Sequence, residues 1–546
     1  MAGGLLNFTS EGDANIFLNG NPDVSLYRKE YKKITNFGLQ KFRLDYFGQR
    51  NLRLTEESTF TFIVKRYADL LMDTYIVINI PDIYSPVYPP TKDTNEKWSP
   101  YEFHWIEELG TQMIKEITIT SGSYTLQKYP GQYLSALVQR DFTIEKKELY
   151  NRMTGNIPEL YNPSNCFGNY NTYPNATYTP NPVGAEPSIR GKQLFIPINT
   201  WFTLDSALAF PLICLQHNEL TINVTFRPIM ELFVVRDIFD YTNNYPYICP
   251  DQNREELRFY RFIQTPPALD ISVEANSYKN TITNWNADIH IISTYGFLSE
   301  DERFVFASGT QLYLIKDIFK YELNNIVGSN KLQLKSNGMV SSWMFYLQRN
   351  DVYMRNEWSN YTNWPYNNKP VNISLLLNDN YDNELPLTHP DGTETGIFYT
   401  GDLKVDNTKE ILINAGIVFD GDFREQTLPS GVFNYIEKYT RTPSNAKDGL
   451  YCYNFCLNSD INNYQPSGAI NLSKFNTIEL EFTTYVPPID PNRSQFNVIC
   501  NLNGDPIGVS KQNYRLYEYN YNIVLFEERY NILSFINGEV GLLYSR

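Results

Sequence analysis

Apolar and polar residues alternate with a period of two along much of the chain. In Thr59-Phe60-Thr61-Phe62-Ile63-Val64, the side chains of Phe60, Phe62 and Val64 fall on one face. The stretches Glu219–Phe226 and Asn476–Phe482 repeat the pattern. Such alternation marks strands with one face on a core. Further strands are predicted at 39–47, 74–80, 115–120, 192–198, 270–275, 287–294, 340–348, 410–419, 450–457 and 515–526. Helical spacing is rare. Residues 131–152 carry Leu134, Leu137 and Val138 on one side, followed by a charged run. Ser299-Glu300-Asp301-Glu302 reads as a capping box opening a helix that runs to about Ser308, and 203–218 holds a short helix or two.

Long stretches rich in Asn, Pro, Tyr and Asp separate these elements, near 81–105, 154–191, 359–371, 378–402 and 486–495. Many short strands joined by such turns predict antiparallel sandwiches, and there are more strands than one sandwich needs. The stretch 242–267, with Pro246, Pro250, Pro266 and Pro267, is the best internal boundary. It leaves two β-rich halves without a visible sequence repeat, so a duplicated architecture rests on strand counts alone.

Composition narrows the class. Aromatic residues make up 15% of the 546, with 42 Tyr and 33 Phe, which excludes wholesale disorder and favours strands. The net charge of −15 argues against broad nucleic-acid binding. No window approaches the roughly 18 consecutive apolar residues of a membrane-spanning helix. The first residues, Met1-Ala2-Gly3-Gly4-Leu5-Leu6, lack the basic region and long apolar run of a secretory signal, and Gly is not at the second position, as myristoylation needs.

Candidate chemistry is sparse. Cysteines stand at 166, 214, 249, 452, 456 and 500. On one strand Cys452 and Cys456 would lie roughly 13 Å apart, beyond the reach of about 7 Å that a disulfide allows. Buried small hydrophobes are the expectation. The histidines, His104, His217, His290 and His389, are widely spaced, and no local zinc motif exists. Adjacent acids occur at Glu107-Glu108, Asp301-Glu302 and Glu527-Glu528. Paired carboxyls can cleave glycosides only when they flank a cleft, and solvated surface acids are commoner. Phosphate-loop, nucleophile-elbow and calcium-loop patterns are absent. The basic run Arg28-Lys29-Glu30-Tyr31-Lys32-Lys33 suits an acidic partner or anionic lipid, or is simply a solvated face. Sequons occur at Asn7, Asn175, Asn223, Asn360, Asn372, Asn471 and Asn492, with low expected occupancy. The stretch Trp358-Ser359-Asn360-Tyr361-Thr362-Asn363-Trp364 could stack on sugars; an exposed loop building protein contacts is the favoured reading.

Several blocks in order resemble one family. They are Gly3-Gly4-Leu5-Leu6-Asn7 with Gly20-Asn21-Pro22, Tyr31 and Thr35-Asn36-Phe37; then Leu194-Phe195-Ile196-Pro197-Ile198-Asn199-Thr200-Trp201-Phe202 with Ala209-Phe210-Pro211-Leu212-Ile213 and Leu215–Leu220. Next come Tyr295-Gly296-Phe297-Leu298 with Glu302-Arg303-Phe304, Phe306-Ala307 and Tyr313-Leu314-Ile315; then Tyr453-Asn454-Phe455, Gln465–Ser473, Tyr519-Asn520-Tyr521-Asn522 and Gly541–Ser545. Together they resemble the major capsid proteins of nucleocytoplasmic large DNA viruses, such as giant viruses, phycodnaviruses and iridoviruses. Leu26-Tyr27-Arg28 departs from the family's paired aromatics.

The resemblance implies an all-β double jelly roll: two eight-stranded antiparallel sandwiches with a few short helices and long loops. It implies an N-terminal arm at 1–30, a first jelly roll at 31–250 with long loops 81–105 and 154–191, a linker at 251–267, and a second jelly roll at 268–546 with long loops 359–402 and 486–495. It further implies a structural role: homotrimeric, pseudo-hexagonal capsomers tiling an icosahedral shell around an inner membrane. The implied partners are the homotrimer itself, neighbouring capsomers, minor capsid and penton proteins, and the inner viral membrane on the N-terminal side, without direct nucleic-acid contact. The location is the virion, assembled in the host cytoplasm. No catalytic residue, cofactor or metal is expected. The alternatives are a carbohydrate-binding β-sandwich or glycosidase, or a minor capsid paralogue with glycan-binding loops.

Overall fold

The computed structural model describes residues 35–48, 51–88, 99–166, 172–174, 185–239, 247–266, 285–364, 408–460, 465–487 and 519–544, a few isolated positions between them, and the backbone of four strands at 386–388, 394–398, 496–500 and 506–511. The expected arm at 1–30, with the basic run, and the predicted strand 270–275 lie outside the described residues.

Eight strands build the first half: β1 (Gly38–Asp45), β2 (Ser58–Val64), β3 (Leu70–Asn79), β4 (Ile114–Ser121), β5 (Tyr124–Tyr129), β6 (Gln193–Pro197), β7 (Leu220–Phe226) and β8 (His290–Phe297). They form two antiparallel sheets, ordered β1-β8-β3-β6 and β2-β7-β4-β5. Eight more build the second: β9 (Gln311–Ile326), β10 (Ser329–Gln333), β11 (Met339–Arg349), β12 (Leu412–Phe419), β13 (Asp422–Pro429), β14 (Leu450–Asn454), β15 (Ile478–Thr484) and β16 (Tyr521–Ile536). Their sheets run β9-β16-β11-β14 and β10-β15-β12-β13. Adding eight to each first-half strand number reproduces the second half. The strand order is that of a jelly roll, made twice.

The alternating stretches sit where their pattern requires. Leu220, Ile222, Val224 and Phe226 of β7 point inward at no more than 1% exposure, in register with β2 and β4 on either side. Ile478, Leu480 and Phe482 of β15 point inward at no more than 2% exposure. Each such fully buried side chain contributes roughly 1.5–3 kcal/mol.

The expected division of the chain is corrected by the pairing. Strand β8, placed beyond the linker by the boundaries above, hydrogen-bonds between β1 and β3 at the centre of the first half. The first sandwich therefore closes only at Phe297, and the second opens at Gln311. Nor is 251–267 a linker, because Leu257, Phe259 and Phe262 are fully buried in the first core. It belongs to the connection from β7 to β8.

The predicted 131–152 helix is two: α1 (Gly131–Asp141) and α2 (Ile144–Thr154), separated where Thr143 turns extended. Helix α3 (Glu300–Ser308) starts where the capping box predicts, but Ser299 makes no side-chain bond to the helix backbone; its hydroxyl donates to the Glu302 carboxylate and its carbonyl accepts from Arg303 N–H. The 203–218 region holds short turns at Trp201–Leu204, Ser206–Leu208 and Leu212–Cys214. Helix α4, a π turn at Val432–Ile436 continuing as Glu437–Arg441, follows β13 as α1 follows β5.

Glycine is required where α1 begins. A Cβ on Gly131 would lie 2.2 Å from the Ile114 carbonyl oxygen and 2.4 Å from that of Thr111. Gly131→Ala must push α1 off the end of β4 and should destabilise the protein by about 1–3 kcal/mol. Gly541→Ala, with nothing within 4 Å of the added carbon, should cost about 0.5 kcal/mol or less. Thermal denaturation of the two variants beside wild type checks the contrast; equal midpoints would contradict it.

Candidate functional site

The side chains that draw most buried charge together lie between the two sandwiches. Helix α1 is amphipathic in an unusual way. Leu134 and Leu137 face the first core, while Tyr133 and Arg140 face the sheet β9-β16-β11-β14 of the second half. Arg140 is wholly buried. Its guanidinium donates to Asp141 at 2.7 Å through two nitrogens, to both oxygens of Glu528 at 2.9 and 3.1 Å, and to the Ser342 hydroxyl at 3.0 Å. Tyr133 donates to Glu528 at 2.8 Å and meets the Phe526 ring edge-on. Lys316 of β9 stands 3.7 Å from the Glu528 carboxylate.

One guanidinium serves two buried carboxyls, and the carboxyls separate accordingly. Burial alone would raise Glu528, but Arg140, Lys316 and Ser342 hold it down at about 2. Asp141 is raised, because burial and the neighbouring Glu528 charge outweigh what Arg140 returns. A cavity of about 160 Å³ adjoins the cluster, lined by Trp201, Asn199 and Lys316 among others.

A second ionic crossing lies nearby. Glu108 accepts from Lys447 of the second half at 2.9 Å, from Ser135 at 2.6 Å and from Gln112 at 3.1 Å. Burial opposes ionisation there, yet these donors hold the carboxyl below its usual value. Lys447 also donates to the Ser359 carbonyl and lies over the Tyr361 ring.

The aromatic stretch 358–364, expected as an exposed loop, is instead a strap across this joint. Trp358 donates to the Glu231 carbonyl at 3.0 Å and carries the Arg227 guanidinium 4.0 Å over its ring. Tyr361 is buried and stacks on Tyr346 at 4.2 Å. Asn356 donates to the carbonyls of Met230 and Phe233. These rings are committed to the fold and offer no open platform for a sugar. The Asn360 sequon is folded in as well: the side chain is buried, donates to Glu357 and Trp364, and accepts from Thr362.

The acid pairs do not form a cleft. Successive strand residues point to opposite faces. Glu527 turns into the second sandwich, bonded to Trp343, Ser336 and Arg529, while Glu528 turns into the joint. Glu107 accepts from Ser359 beside the buried Glu108. Glu302, in the first turn of α3, accepts from Thr35 and Ser299. Of the sequence candidates, Glu108, Glu528 and the 358–364 stretch belong to the joint, with Glu107 at its edge. Sequence reasoning missed Arg140, Asp141, Lys316 and Lys447. A signal existed for one: Asp141 falls four residues after Leu137, on the apolar stripe of α1, where a charge needs a buried partner.

Other polar candidates are structural. His104 is buried, stacked 4.3 Å from Tyr247, and burial with the Arg236 charge pushes its pKa down to about 3. His290 hydrogen-bonds the Asp288 carbonyl. His389 lies outside the described residues. Cys452 and Cys456 are buried and free. Among the described residues no group of His, Cys, Asp and Glu could hold a metal ion.

Two jelly rolls locked side by side by a buried joint define a double jelly-roll protein. The family described as "Major capsid protein N-terminus" matches residues 25–261, and that described as "Large eukaryotic DNA virus major capsid protein" matches 302–541. The major capsid protein of Phaeocystis pouchetii virus is 22% identical, with each chain covered in full. Probable capsid protein 4 of Acanthamoeba polyphaga mimivirus is 21% identical over 90% of this chain and 94% of the relative. In fold, the chain is similar to VP54 of PBCV-1 (TM-score 0.60, 16% identity, 96% of this chain and 100% of the other). The Faustovirus major capsid protein is comparable (TM-score 0.59, 12% identity, 97% and 98%). The chain belongs to the major capsid proteins of large eukaryotic DNA viruses. Its work is structural, in the virion shell, and not catalytic.

Removing Arg140 leaves two carboxyls facing each other out of water. Arg140→Leu should destabilise the protein by about 3–5 kcal/mol at neutral pH. In wild type, the Glu528 pKa is depressed in the folded state, so its contribution is present above about 4.5 and lost as pH falls toward 2. Without Arg140 both carboxyls should bind protons more readily when folded than when unfolded. The deficit of the variant should therefore shrink as pH falls below 5. Denaturation curves at several pH values read this; a deficit independent of pH would contradict it.

Proposed function

We propose that three copies of the chain form a homotrimeric capsomer of pseudo-hexagonal outline, and that these capsomers tile an icosahedral shell around an inner membrane. The observation that carries this is the internal repeat. One chain holds two sandwiches of the same strand order, fixed together by buried ionic crossings and a continuous apolar core. Three such rigid pairs supply six similar blocks, the number a hexagonal tile needs. Head-to-tail contacts that close a ring make a discrete particle in place of a filament. Shell formation by capsid proteins of this family entails self-association and contact between neighbouring capsomers.

Within this reading, minor capsid and penton proteins join the shell at its seams and vertices. The arm at 1–30 lies beneath the capsomer, facing the membrane or the minor proteins. Its glycines, its Asn-Gly-Asn-Pro turn and the basic run that follows support that placement. Assembly takes place in the host cytoplasm.

Light scattering during size exclusion tests the reading. The purified chain should give a species near three times 63.6 kDa, and a monomer at all concentrations would overturn it. Deleting residues 2–22 should leave three copies in the particle while lowering the yield of closed shells in infected or co-expressing cells. Dissociation of the trimer would instead make the arm a clasp within the capsomer.

A further inference from the structure

Helix α3 forms the link between the two sandwiches, since β8 ends at Phe297 and β9 opens at Gln311. Its inner side is tied to the first half. Arg303 donates to Asp69 at 2.9 Å, and the Cys214 thiol donates to the Phe306 carbonyl at 3.4 Å. Its outer side is bare. No residue of Glu300–Ser308 is buried, and Phe304 and Val305 are 73% and 65% exposed. Residues four apart on a helix are neighbours on one face. Phe304 therefore stands beside Glu300, and Val305 beside Asp301, so the outer face is acidic at its start and apolar one turn on. The positive end of a helix favours acids in the first turn, which accounts for the charges but not for the two apolar side chains. A helix of nine residues is marginal in water alone and takes its stability from packing. Glu302 accepts from Thr35 and Ser299, whereas Glu300 and Asp301 have no hydrogen bond or ion pair among the described residues.

A suitable occupant starts at the helix itself. The described chain begins at Thr35, whose hydroxyl donates to Glu302. The residues just before it read Leu26-Tyr27-Arg28-Lys29-Glu30-Tyr31-Lys32-Lys33-Ile34, four cations to one acid with apolar residues between them. This is the complement of the outer face of α3, in charge and in apolar character. Reach is ample. At about 3.5 Å per residue, Lys33 falls within about 7 Å of Thr35 and Leu26 within about 30 Å, while α3 is about 13 Å long. A segment tethered this closely is present at an effective concentration on the order of millimolar, which a separate partner would have to exceed.

We infer that segment 26–34 docks along the outer face of α3 of its own chain, its cations meeting Glu300 and Asp301 and its tyrosines covering Phe304 and Val305. The arm is thereby rooted on the link between the two sandwiches, and the residues before 26 are those that reach beneath the capsomer. The contact lies within one chain, so it stands or falls independently of the number of copies in the particle.

Two measurements on the full-length chain test it. A carbodiimide joins a lysine to a carboxylate in contact with it and adds no spacer. Applied to a mixture of nitrogen-15-labelled and unlabelled chains, it should link Lys29, Lys32 or Lys33 to Glu300 or Asp301 within a single isotope. Links from these lysines only to other carboxylates, or only between isotopes, would overturn the proposal. The second measurement is limited trypsin cleavage after Arg28, Lys29, Lys32 and Lys33, in wild type and in the triple variant Glu300→Gln, Asp301→Asn, Phe304→Ser. Cleavage follows the population of the undocked segment, so it should quicken about fivefold in the variant. Neither core includes a residue of α3, so circular dichroism and the thermal midpoint should stay at wild-type values. Equal cleavage rates would overturn the docking. The cross-link needs no substitution and decides the matter even if the variant failed to fold.

Discussion

The guanidinium of Arg140 fixes how the two halves of this protein sit against each other. It is out of water, and its donors are divided between Asp141 beside it and Glu528 and Ser342 across the joint. A guanidinium fork accepts few geometries, so the pairing specifies the position of α1 on the second sheet to within the tolerance of a hydrogen bond. The energy of the joint comes from elsewhere. Phe526, Met344, Tyr346, Leu450 and Cys452 of the second half merge with the first core, and their burial stabilises far more than a desolvated ion pair can. Apolar contact holds the sandwiches together, and the ionic crossings at Arg140 and at Glu108 with Lys447 choose the angle. A shell of repeating blocks depends on that angle, because an error in it would recur at every block.

Tyrosine recurs at the joint for a physical reason. A side chain buried between two sheets of separate sandwiches needs an apolar body to fill the gap and a polar tip to reach a partner, and tyrosine supplies both. Tyr133 ends on Glu528 and Tyr346 on Gln132, and within the second core Tyr519 and Tyr521 reach Asn363 in the same way. Phenylalanine would remove one hydrogen bond from each partner, at a cost of roughly 0.5–1.5 kcal/mol, or more where the partner is charged.

Strands such as β7 and β15 were legible from sequence because each has one face in a core and one toward solvent or polar neighbours, which imposes the period of two. Strands β5, β10 and β13 were not. They are sheet edges, and β13 in particular is exposed along almost its whole length, so burial imposes no pattern on it. Strand β16 is buried on both faces at Glu527 and Glu528, one facing each core, which reads in sequence as an ordinary acidic pair. The boundary between halves was misplaced for a related reason. Proline-rich composition reports a turn, but closing a jelly roll requires the last strand to return between the first and third, and that strand comes after the turns. The joint itself was illegible, because Arg140 and Glu528 are 388 positions apart, and only the folded topology brings them together.

The charge of the chain acts outside this joint. The cations gathered there, Arg140, Lys316 and Lys447, are matched by Asp141, Glu528 and Glu108. The excess of acid, −15 for the chain, therefore lies on the remainder of the molecule. Copies approach one another as like-charged bodies, which keeps free subunits apart and soluble. Association must then draw on short-range apolar contact against a long-range repulsion that falls off over roughly 8 Å at physiological ionic strength. A protein built this way resists indiscriminate clumping, because repulsion dominates until complementary faces meet.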